Sequence, residues 1–573
     1  MRDATRRWVR PLLCITFVAG CGPTTRSGDV DAGPPCAEGA LHCNGNTLQT
    51  CTGGAFVDTE TCPQVCTDGF GCTVCVPNTG TCNGDEGHAC DATGSGFIDT
   101  TCDPRQGMTC DGATGQCTGP CAPQNLGNSY IGCEYFPTVT GNMVSANYNF
   151  AVAVANTSAL DATVHVEGGA LATPVTFTVA PNSVKVQTLP WHPALKLCMG
   201  ASWSNCSGGV QTDGALAVKG AYHLRSSQPI TVYQFNPLEY FLPAAGENSF
   251  SNDASLLLPT NVWRNDYFTA SWQNTAGVNP GLMAVTARFD GTQITILPKA
   301  STLASAGAPA LTAGVPQVVT LNTGDVLEVA TRTGDLTGTR VMSDKPVQVI
   351  GGHYCANVPD NIGFCDHIEE SMFSVDSLGR RYVISAPAVT TIPSGKVHVV
   401  RIIATAPNTS VTYDPPQAGA PTAIANAGDF IEIPNTTASF VIEADQKVLV
   451  AQYMEGQNAG GGTGDPAMAL AVPVEQFRTS YLFHAPTNYE SNYVDVTAPM
   501  GATVMLDGIP LGFTPIGTTG LGFVRVFPLM GGPANDGNHG ISGDMPFGIS
   551  VYGYGQFTSY WYPGGLNLTD LVN

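Results

Sequence analysis

RSSQPITVYQFNP, residues 225–237, recurs in altered form three more times along the chain, and these four copies decide the fold. The other copies are MSDKPVQVIGGHY (342–354), EADQKVLVAQYME (443–455) and SGDMPFGISVYGY (542–554). Each joins a polar turn to a run rich in β-branched and aromatic residues, which is typical of a strand. We call these copies the repeat segments, and they predict that one order of strands is used four times.

Shorter strand-like runs lie ahead of each repeat segment, and examples are ATVHVEG, TQITILP and DFIEIP. No long helical pattern appears in the sequence. A unit of about a hundred residues with several short strands suits a β-sandwich, because each strand buries one face against the opposite sheet. We therefore predict an all-β fold of tandem β-sandwich-like modules, with a propeller as the alternative although its blades are usually shorter. The predicted modules are residues 121–237, 238–354, 355–455 and 456–573.

Twelve cysteines between positions 36 and 117 form two copies of one spacing. The first copy reads C-x6-C-x7-C-x10-C-x3-C-x5-C and the second reads C-x6-C-x7-C-x11-C-x7-C-x6-C. Each copy is too small to be held by a hydrophobic core alone, so disulfides would replace that core. We predict two small disulfide-rich repeats, residues 36–74 and 75–120, and the spacing leaves their pairing open.

The first twenty residues combine a basic start with a short apolar run, which predicts a signal peptide over residues 1–20. Its end, Val18-Ala19-Gly20-Cys21, resembles the bacterial lipobox. That resemblance implies an acylated Cys21 and a lipid anchor in the membrane. The Gly, Thr and Asp-rich composition that follows predicts a flexible tether over residues 21–35. The expected location is the bacterial outer membrane or cell surface.

Composition excludes one class of partner and favours export. The formal net charge of −22 argues against nucleic-acid binding, which needs clustered Lys and Arg. An even number of cysteines remains after the signal peptide and Cys21 are set aside, as expected of disulfides in an oxidising compartment. The candidate pairs outside the small repeats are Cys121 with Cys133, Cys198 with Cys206, and Cys355 with Cys365.

Residues 353–370 concentrate the groups that could carry chemistry. His353, Cys355, Cys365 and His367 could hold a metal, and a metal-assisted hydrolase centred on His353 and His367 is the alternative function. The simpler interpretation is a Cys355–Cys365 disulfide with the charged residues as its solvated rim. The chain has no G-x-S-x-G elbow, no H-E-x-x-H motif and no Walker loop, so we expect a non-enzyme without a cofactor. Calcium or another ligand is a further possibility, with these candidate residues: Asp366, His367, Glu369 and Glu370.

Aromatic residues cluster near the end of the sequence and allow two interpretations. They could form a platform on which sugars stack, or they could pack across neighbouring strands. Their alternation with Gly and Ser favours packing. The residues are Tyr552, Tyr554, Phe557, Tyr560, Trp561 and Tyr562.

Four stretches of the chain resemble the IgGFc-binding protein N-terminal domain family, which occurs in bacterial surface lipoproteins. They are SNDASLLLPTNVWRNDYFTASW (251–272), GGHYCANVP (351–359), CDHIEES (365–371) and PFGISVYGYGQFTSYWYPGG (546–565). The resemblance implies a non-enzymatic binding or adhesive role toward an extracellular protein or glycan ligand. A structural stalk without a ligand of its own is a third possibility.

Overall fold

The computed structural model describes residues 36–200, 203–206, 213–273, 279–393, 395–459 and 462–568, and strands dominate them. This confirms the predicted all-β fold class. The predicted signal peptide, tether and acylation site Cys21 lie outside the described residues. The described helices are single turns: Pro123–Leu126, Pro193–Lys196 and Trp203–Cys206, with 3-10 turns at Pro104–Gln106, Thr260–Val262, Val375–Ser377, Gln457–Ala459 and Val474–Gln476.

The chain divides into two compact units, and the first comprises Met1–Thr79 with Cys90–Ile98. Large apolar side chains such as Phe56, Val57 and Phe70 are exposed in this unit. Disulfides therefore stabilise this unit in place of an extensive hydrophobic core. Its strands are Leu41–Asn44, Thr47–Thr52 and Ala55–Thr61 in one sheet, and Val65–Thr67 with Gly71–Thr73 in a hairpin.

Both cysteine-rich repeats use the same disulfide connectivity. In each, the first cysteine pairs with the third, the second with the fifth and the fourth with the sixth. The bonds of the first copy are Cys36–Cys51, Cys43–Cys66 and Cys62–Cys72. Those of the second are Cys75–Cys90, Cys82–Cys110 and Cys102–Cys117.

The second unit comprises Gly80–Ala89 with Asp99–Asn573, and one order of strands recurs four times within it. We call each recurrence a module here, and the first three end at residues 257, 371 and 470, later than the modules predicted from the sequence. Each module begins with a lead strand, continues through a spanning strand that contains the repeat segment, and ends in a closing strand. The lead strands are Gly132–Tyr135, Arg264–Phe268, Arg381–Ile384 and Arg478–His484. The spanning strands are Tyr222–Asn236, Arg340–Ala356, the pair Phe440–Ala444 and Val448–Met454, and Asn538–Gly555. The closing strands are Asp253–Leu257, Asp366–Ser371, Met468–Leu470 and Thr558–Pro563.

Further strands fill each module between its lead and spanning strands. The first module has Phe150–Asn156, Ala162–Gly168, Val175–Val179 and Ser183–Leu189, and after its spanning strand the pair Phe241–Leu242 and Glu247–Asn248. The strand Gly214–Ala217 lies in the same stretch of the chain but pairs with Val326–Thr331 in the sheet of the second module. The second has Gly281–Ala287, Thr292–Leu297, Gln317–Leu321 and Val326–Thr331. The third has His398–Ala404, Thr409–Asp414, Ala423–Ile424 and Phe430–Thr436. The fourth has Ser491–Pro499, Val504–Leu506, Ile509–Pro510, Thr514–Pro515 and Leu521–Val526. Ahead of the modules lie Gly80–Asn83, Glu86–Cys90, Phe97–Thr101, Thr109–Cys110 and Cys117–Thr118.

The spanning strand takes part in two layers. Its first half pairs with the lead strand, and its second half pairs with the closing strand. In the third module the two halves are separate strands in two four-stranded sheets, so the layers are distinct there. Alternate residues of His398–Ala404 face two cores: Val400 and Ile402 pack between these sheets, whereas Val399 and Ile403 join a core shared with the other modules.

One tyrosine in every lead strand fixes the spanning strand of its module. Each hydroxyl donates to the carbonyl of the sixth residue of a repeat segment, at 2.5 to 2.8 Å. Each also accepts a backbone N–H from three residues earlier. The arrangement is similar to the tyrosine corner of other β-sandwiches. The donor and acceptor pairs are Tyr135 and Ile230, Tyr267 and Val347, Tyr382 and Val448, and Tyr481 and Phe547.

Candidate functional site

The four closing strands meet at the centre of the second unit. The strand of the first module packs beside those of the second and fourth modules, and the strand of the third module does the same. The charged residues singled out from the sequence therefore lie where all four modules come together. We call this meeting point the junction.

Asp253 joins all four closing strands through one carboxylate. One of its oxygens accepts the N–H groups of Ala254 at 2.9 Å and Trp561 at 3.1 Å. The other accepts those of Glu369 at 3.0 Å and Met468 at 2.9 Å. Burial raises the pKa of Asp253, and the four N–H donors counter that effect by favouring the charged form.

Asp366 and Glu370 are completely buried in the same junction. Burial raises the pKa of both carboxyl groups well above the usual range. Asp366 accepts from Asn252 N at 2.6 Å, Thr558 Oγ1 at 2.9 Å and Ser559 N at 3.3 Å. Glu370 accepts from Ser255 Oγ at 2.8 Å, Leu256 N at 2.9 Å and Ser371 N at 3.2 Å.

Glu369 and His367 face the first module and are also fully buried. Glu369 accepts from Gln234 Nε2 at 2.7 Å, Asn236 Nδ2 at 3.0 Å and the hydroxyl of Thr140, and it lies 3.4 Å from His367 Nε2. The interpretation of these charged residues as a solvated rim is wrong, because backbone and amide donors replace water around them. The donors to Glu369 come from distant parts of the chain and not from the neighbouring residues in the sequence.

His353 is fully buried, and both of its ring nitrogens are hydrogen-bonded to backbone groups. Its Nε2 lies 3.1 Å from the Gln273 carbonyl, and its Nδ1 accepts the Cys355 N–H at 3.0 Å. Burial lowers the pKa of His353 to about 3. Within the part of the chain that the structure describes, no three His, Cys, Asp or Glu side chains are grouped to hold a metal ion.

The three cysteine pairs proposed outside the small repeats are disulfides in the structure. They join Cys121 to Cys133, Cys198 to Cys206 and Cys355 to Cys365. The last connects the end of the second spanning strand to the start of its closing strand, with a Cα–Cα distance of 5.1 Å. A staple at this position holds the turn that leads into the junction.

Three phenylalanines lie just ahead of closing strands, and all three have left-handed backbone. Phe250, Phe364 and Phe557 precede the closing strands of the first, second and fourth modules, with φ of 57°, 72° and 59°. Left-handed backbone costs an ordinary L-residue roughly 1–2 kcal/mol. Such strain at the surface suggests a functional position. Sequence reasoning missed Phe250 and Phe364, and it grouped Phe557 with aromatic residues that are buried.

The same turn in the third module carries glycine in place of phenylalanine. Gly464 has φ of 72°, and a Cβ atom there would lie 2.1 Å from the Tyr554 ring and 2.6 Å from Ser559 Oγ. No side chain fits in that space. Asp465 follows this glycine, and its N–H donates to Ser559 Oγ at 3.0 Å.

The three phenylalanine rings line an apolar pocket together with Cys365 and Asp465. The ring centroid of Phe557 is 5.8 Å from that of Phe250 and 5.2 Å from that of Phe364. The pocket has a volume of about 230 Å³. Phe364 is 47% exposed, and Phe250 and Phe557 are half-buried. We call this feature the Phe pocket.

Asp465 contributes the polar lining of the Phe pocket, yet it is only 1% exposed. One of its carboxylate oxygens accepts the Gln457 N–H at 2.9 Å. Burial raises the pKa of Asp465 well above its usual range, and the nearby Lys396 counters this effect. The surface that a ligand meets is therefore almost wholly apolar.

Most of the aromatic residues at the end of the sequence lie inside the protein. Tyr552, Tyr554, Tyr560, Trp561 and Tyr562 are buried, and Trp561 donates its ring N–H to Ser550 Oγ at 2.5 Å. They pack across strands, as the alternation with small residues predicted, and they form no platform for sugars. Phe557 alone of this group reaches the Phe pocket.

Two comparisons with known proteins identify relatives of the chain. A family model described as IgGFc binding protein matches residues 253–553, which is more than half of the sequence. The chain is also 24% identical over 231 residues to the human (Homo sapiens) IgGFc-binding protein. That match covers 40% of this chain and 4% of the human protein. Among the described residues, no helix has both the length and the apolar character needed to cross a membrane.

Proposed function

The chain belongs to the IgGFc-binding protein family, and from that premise we propose that it is a binding protein that recognises an extracellular protein ligand through the Phe pocket. The exposed ring of Phe364 between two other phenylalanines supports this proposal most directly. Apolar clusters at a surface mark contact sites more often than isolated apolar residues do. The role is non-catalytic, since the candidate histidines and acids are buried and hydrogen-bonded to other parts of the protein.

An extracellular location agrees with the cysteine chemistry. Every cysteine from Cys36 to Cys365 lies in one of nine disulfides. Disulfides on this scale persist in oxidising compartments and are rare in the cytosol. Outside the cell, proteins and glycans are the available ligands, and the apolar Phe pocket favours a protein.

We further propose that the protein is held at a bacterial surface through acylated Cys21. The sequence Val18-Ala19-Gly20-Cys21 supports this attachment. Mass spectrometry of the membrane-extracted protein should find a lipid-modified N-terminal Cys21. The Cys21→Ser variant should appear in the soluble fraction, and unchanged membrane retention of that variant would count against a lipid anchor.

Binding of the purified full chain to a protein ligand tests the proposed function. The chain is immobilised and tested by biolayer interferometry against IgG Fc, and in parallel it is cross-linked to surface proteins of whole cells. Saturable binding at micromolar or lower concentration to Fc or to a cross-linked protein is the expected result. Absence of saturable binding in both experiments would contradict the proposal.

A further inference from the structure

The size of the Phe pocket restricts what can enter it. Sites for drug-sized ligands usually measure about 300–1,000 Å³, whereas the Phe pocket measures about 230 Å³. An apolar cavity of about 150 Å³ already accepts one benzene ring. The Phe pocket therefore suits a single large side chain such as Phe, Leu or Met.

The surroundings of the Phe pocket indicate the charge of its ligand. Four connections lead from spanning strands into closing strands: residues 237–252, 357–365, 455–467 and 556–557. They contain neither Lys nor Arg, and three of their acidic residues, Glu239, Glu247 and Asp360, are not buried. The whole chain carries a net charge of −22. Complementary charge across an interface speeds association and selects partners, so basic residues beside the apolar group would favour binding.

The phenylalanines are poorly explained by a role in folding alone. Phe364 leaves nearly half of its surface in water, so its ring adds little to the hydrophobic core. The left-handed backbone at all three positions would suit glycine better. Three separate turns nevertheless place a ring at the same spot, which is what a contact surface for an apolar group requires.

We propose that the Phe pocket binds a large apolar side chain of a partner protein, flanked on that partner by Lys or Arg. This proposal rests on the proposed function and adds the chemistry of the ligand. The apolar side chain contacts the three rings, and the flanking cations face the acidic connections around them. Asp360 and Glu247 precede Phe364 and Phe250 in these connections, and unlike Asp366 and Asp253 they are not buried.

A set of three fluorescent dodecapeptides tests the chemistry directly by anisotropy with the full chain. The first has a central Phe flanked by Lys, the second replaces Phe by Ala, and the third replaces Lys by Glu. We expect the first peptide to bind at least ten-fold more tightly than either of the others. Equal affinity among the three, or preference for the Glu peptide, would overturn the proposal.

Variants of the full chain test whether the peptide binds at the Phe pocket. Phe364→Gly removes the ring and suits the left-handed backbone, so the melting temperature should hold or rise while peptide affinity falls at least ten-fold. Phe364→Asn serves as a second variant, because asparagine also tolerates this backbone. Phe289→Ala removes another exposed ring, 41% exposed, and should leave affinity unchanged. Unchanged affinity in both Phe364 variants would overturn the proposal.

Two further outcomes separate this proposal from the proposed function. If Fc or a cross-linked protein binds the chain and the Phe364 variants bind it equally well, the pocket assignment fails while the binding function stands. If the native chain self-associates in sedimentation experiments and Phe364→Gly abolishes this, the occupant is a second copy and the proposal is overturned. Failure of every ligand to bind contradicts both proposals.

Discussion

Single polar residues determine how the strands of each module are held together. Tyr382 illustrates the pattern, because its hydroxyl donates to the Val448 carbonyl at 2.5 Å and accepts the Gly379 N–H at 3.0 Å. Both backbone groups belong to buried surroundings, where an unpaired polar group is costly. One hydroxyl group thus provides a hydrogen-bond partner for two backbone groups, and an equivalent tyrosine does so in each of the four modules.

Replacing Tyr382 by Phe should lower the free energy of unfolding by roughly 1–3 kcal/mol, because the Val448 carbonyl and the Gly379 N–H lose their partner. Urea denaturation measures the loss. Tyr413→Phe is the matched control, since its hydroxyl meets the Pro421 carbonyl at an exposed site. We expect that control to change stability by less than about 0.5 kcal/mol. Equal losses in the two variants would contradict the role assigned to Tyr382.

Asp253→Asn should lower the free energy of unfolding by about 3 kcal/mol or more, because an amide NH2 would replace one oxygen and face two N–H donors. The change in volume is negligible, so packing does not account for the expected loss. Guanidinium denaturation followed by tryptophan fluorescence measures it. Asp161→Asn, at an exposed position, is the control and should be neutral. A neutral Asp253→Asn variant would show that the junction does not need the carboxylate.

The burial of Asp366, Glu369 and Glu370 cannot be predicted from the sequence, for a physical reason. Charged residues next to a turn usually lie in water, because burying a charge without partners is expensive. Their partners, such as Gln234 for Glu369 and Thr558 for Asp366, are far away along the chain. A single sequence gives no sign of such long-range hydrogen bonds.

At the scale of strands, the repeat segments predict the fold because each forms part of a spanning strand, and that strand pairs in two layers. The all-β class followed from their composition and spacing. The seven residues of Phe150–Asn156 are all buried, so this strand lacks the alternation of a half-exposed strand. The shared core on its second face explains the difference, and that core forms only when the modules pack together.

The turns into the closing strands show where sequence reasoning fell short. Cys365 and Asp366 stand out in the sequence, but Phe250 and Phe364 do not, because their common position becomes visible only after the strands are aligned in space. The signal that could have found them is the position just ahead of each closing strand. Three of these turns carry Phe and the fourth carries Gly464.

Removal of the Cys355–Cys365 disulfide should loosen one of these turns. The cysteines are ten residues apart, and a bridge over such a loop contributes roughly 2–3 kcal/mol. The Cys355→Ala/Cys365→Ala double variant should therefore unfold at a lower guanidinium concentration. The single Cys355→Ala variant distinguishes loss of the bridge from loss of packing, and it should show most of the same effect. An unchanged midpoint in the double variant would show that the bridge is dispensable.

At the scale of the whole molecule, the two units are stabilised by different means. The first depends on disulfides, and few of its apolar side chains are buried. The second has an extensive core that draws residues from all four modules. Hydrophobic burial is insensitive to reduction, whereas a disulfide framework is not.

Mild reduction with dithiothreitol should therefore make the first unit sensitive to chymotrypsin, which can cut at its exposed Phe56, Phe70 and Phe97, while the modules stay resistant. Mass spectrometry of the limited digest measures which peptide bonds are cut. The expected cuts fall within residues 36–79 and 90–98, and the fragment containing the closing strands should remain intact. Simultaneous digestion of the modules at low reductant would contradict this division of stability.

The bond from the Trp561 N–H to Asp253 has a consequence for the order of folding. It joins residues 308 positions apart, and the donor lies in the last strand that the structure describes. Contacts of such high separation form late, because a long loop has to close first. During synthesis or export, Asp253 therefore gains its hydrogen bond from Trp561 only after the end of the fourth module is present. A chain cut short before this strand would leave the buried Asp253 carboxyl group with three of its four N–H donors.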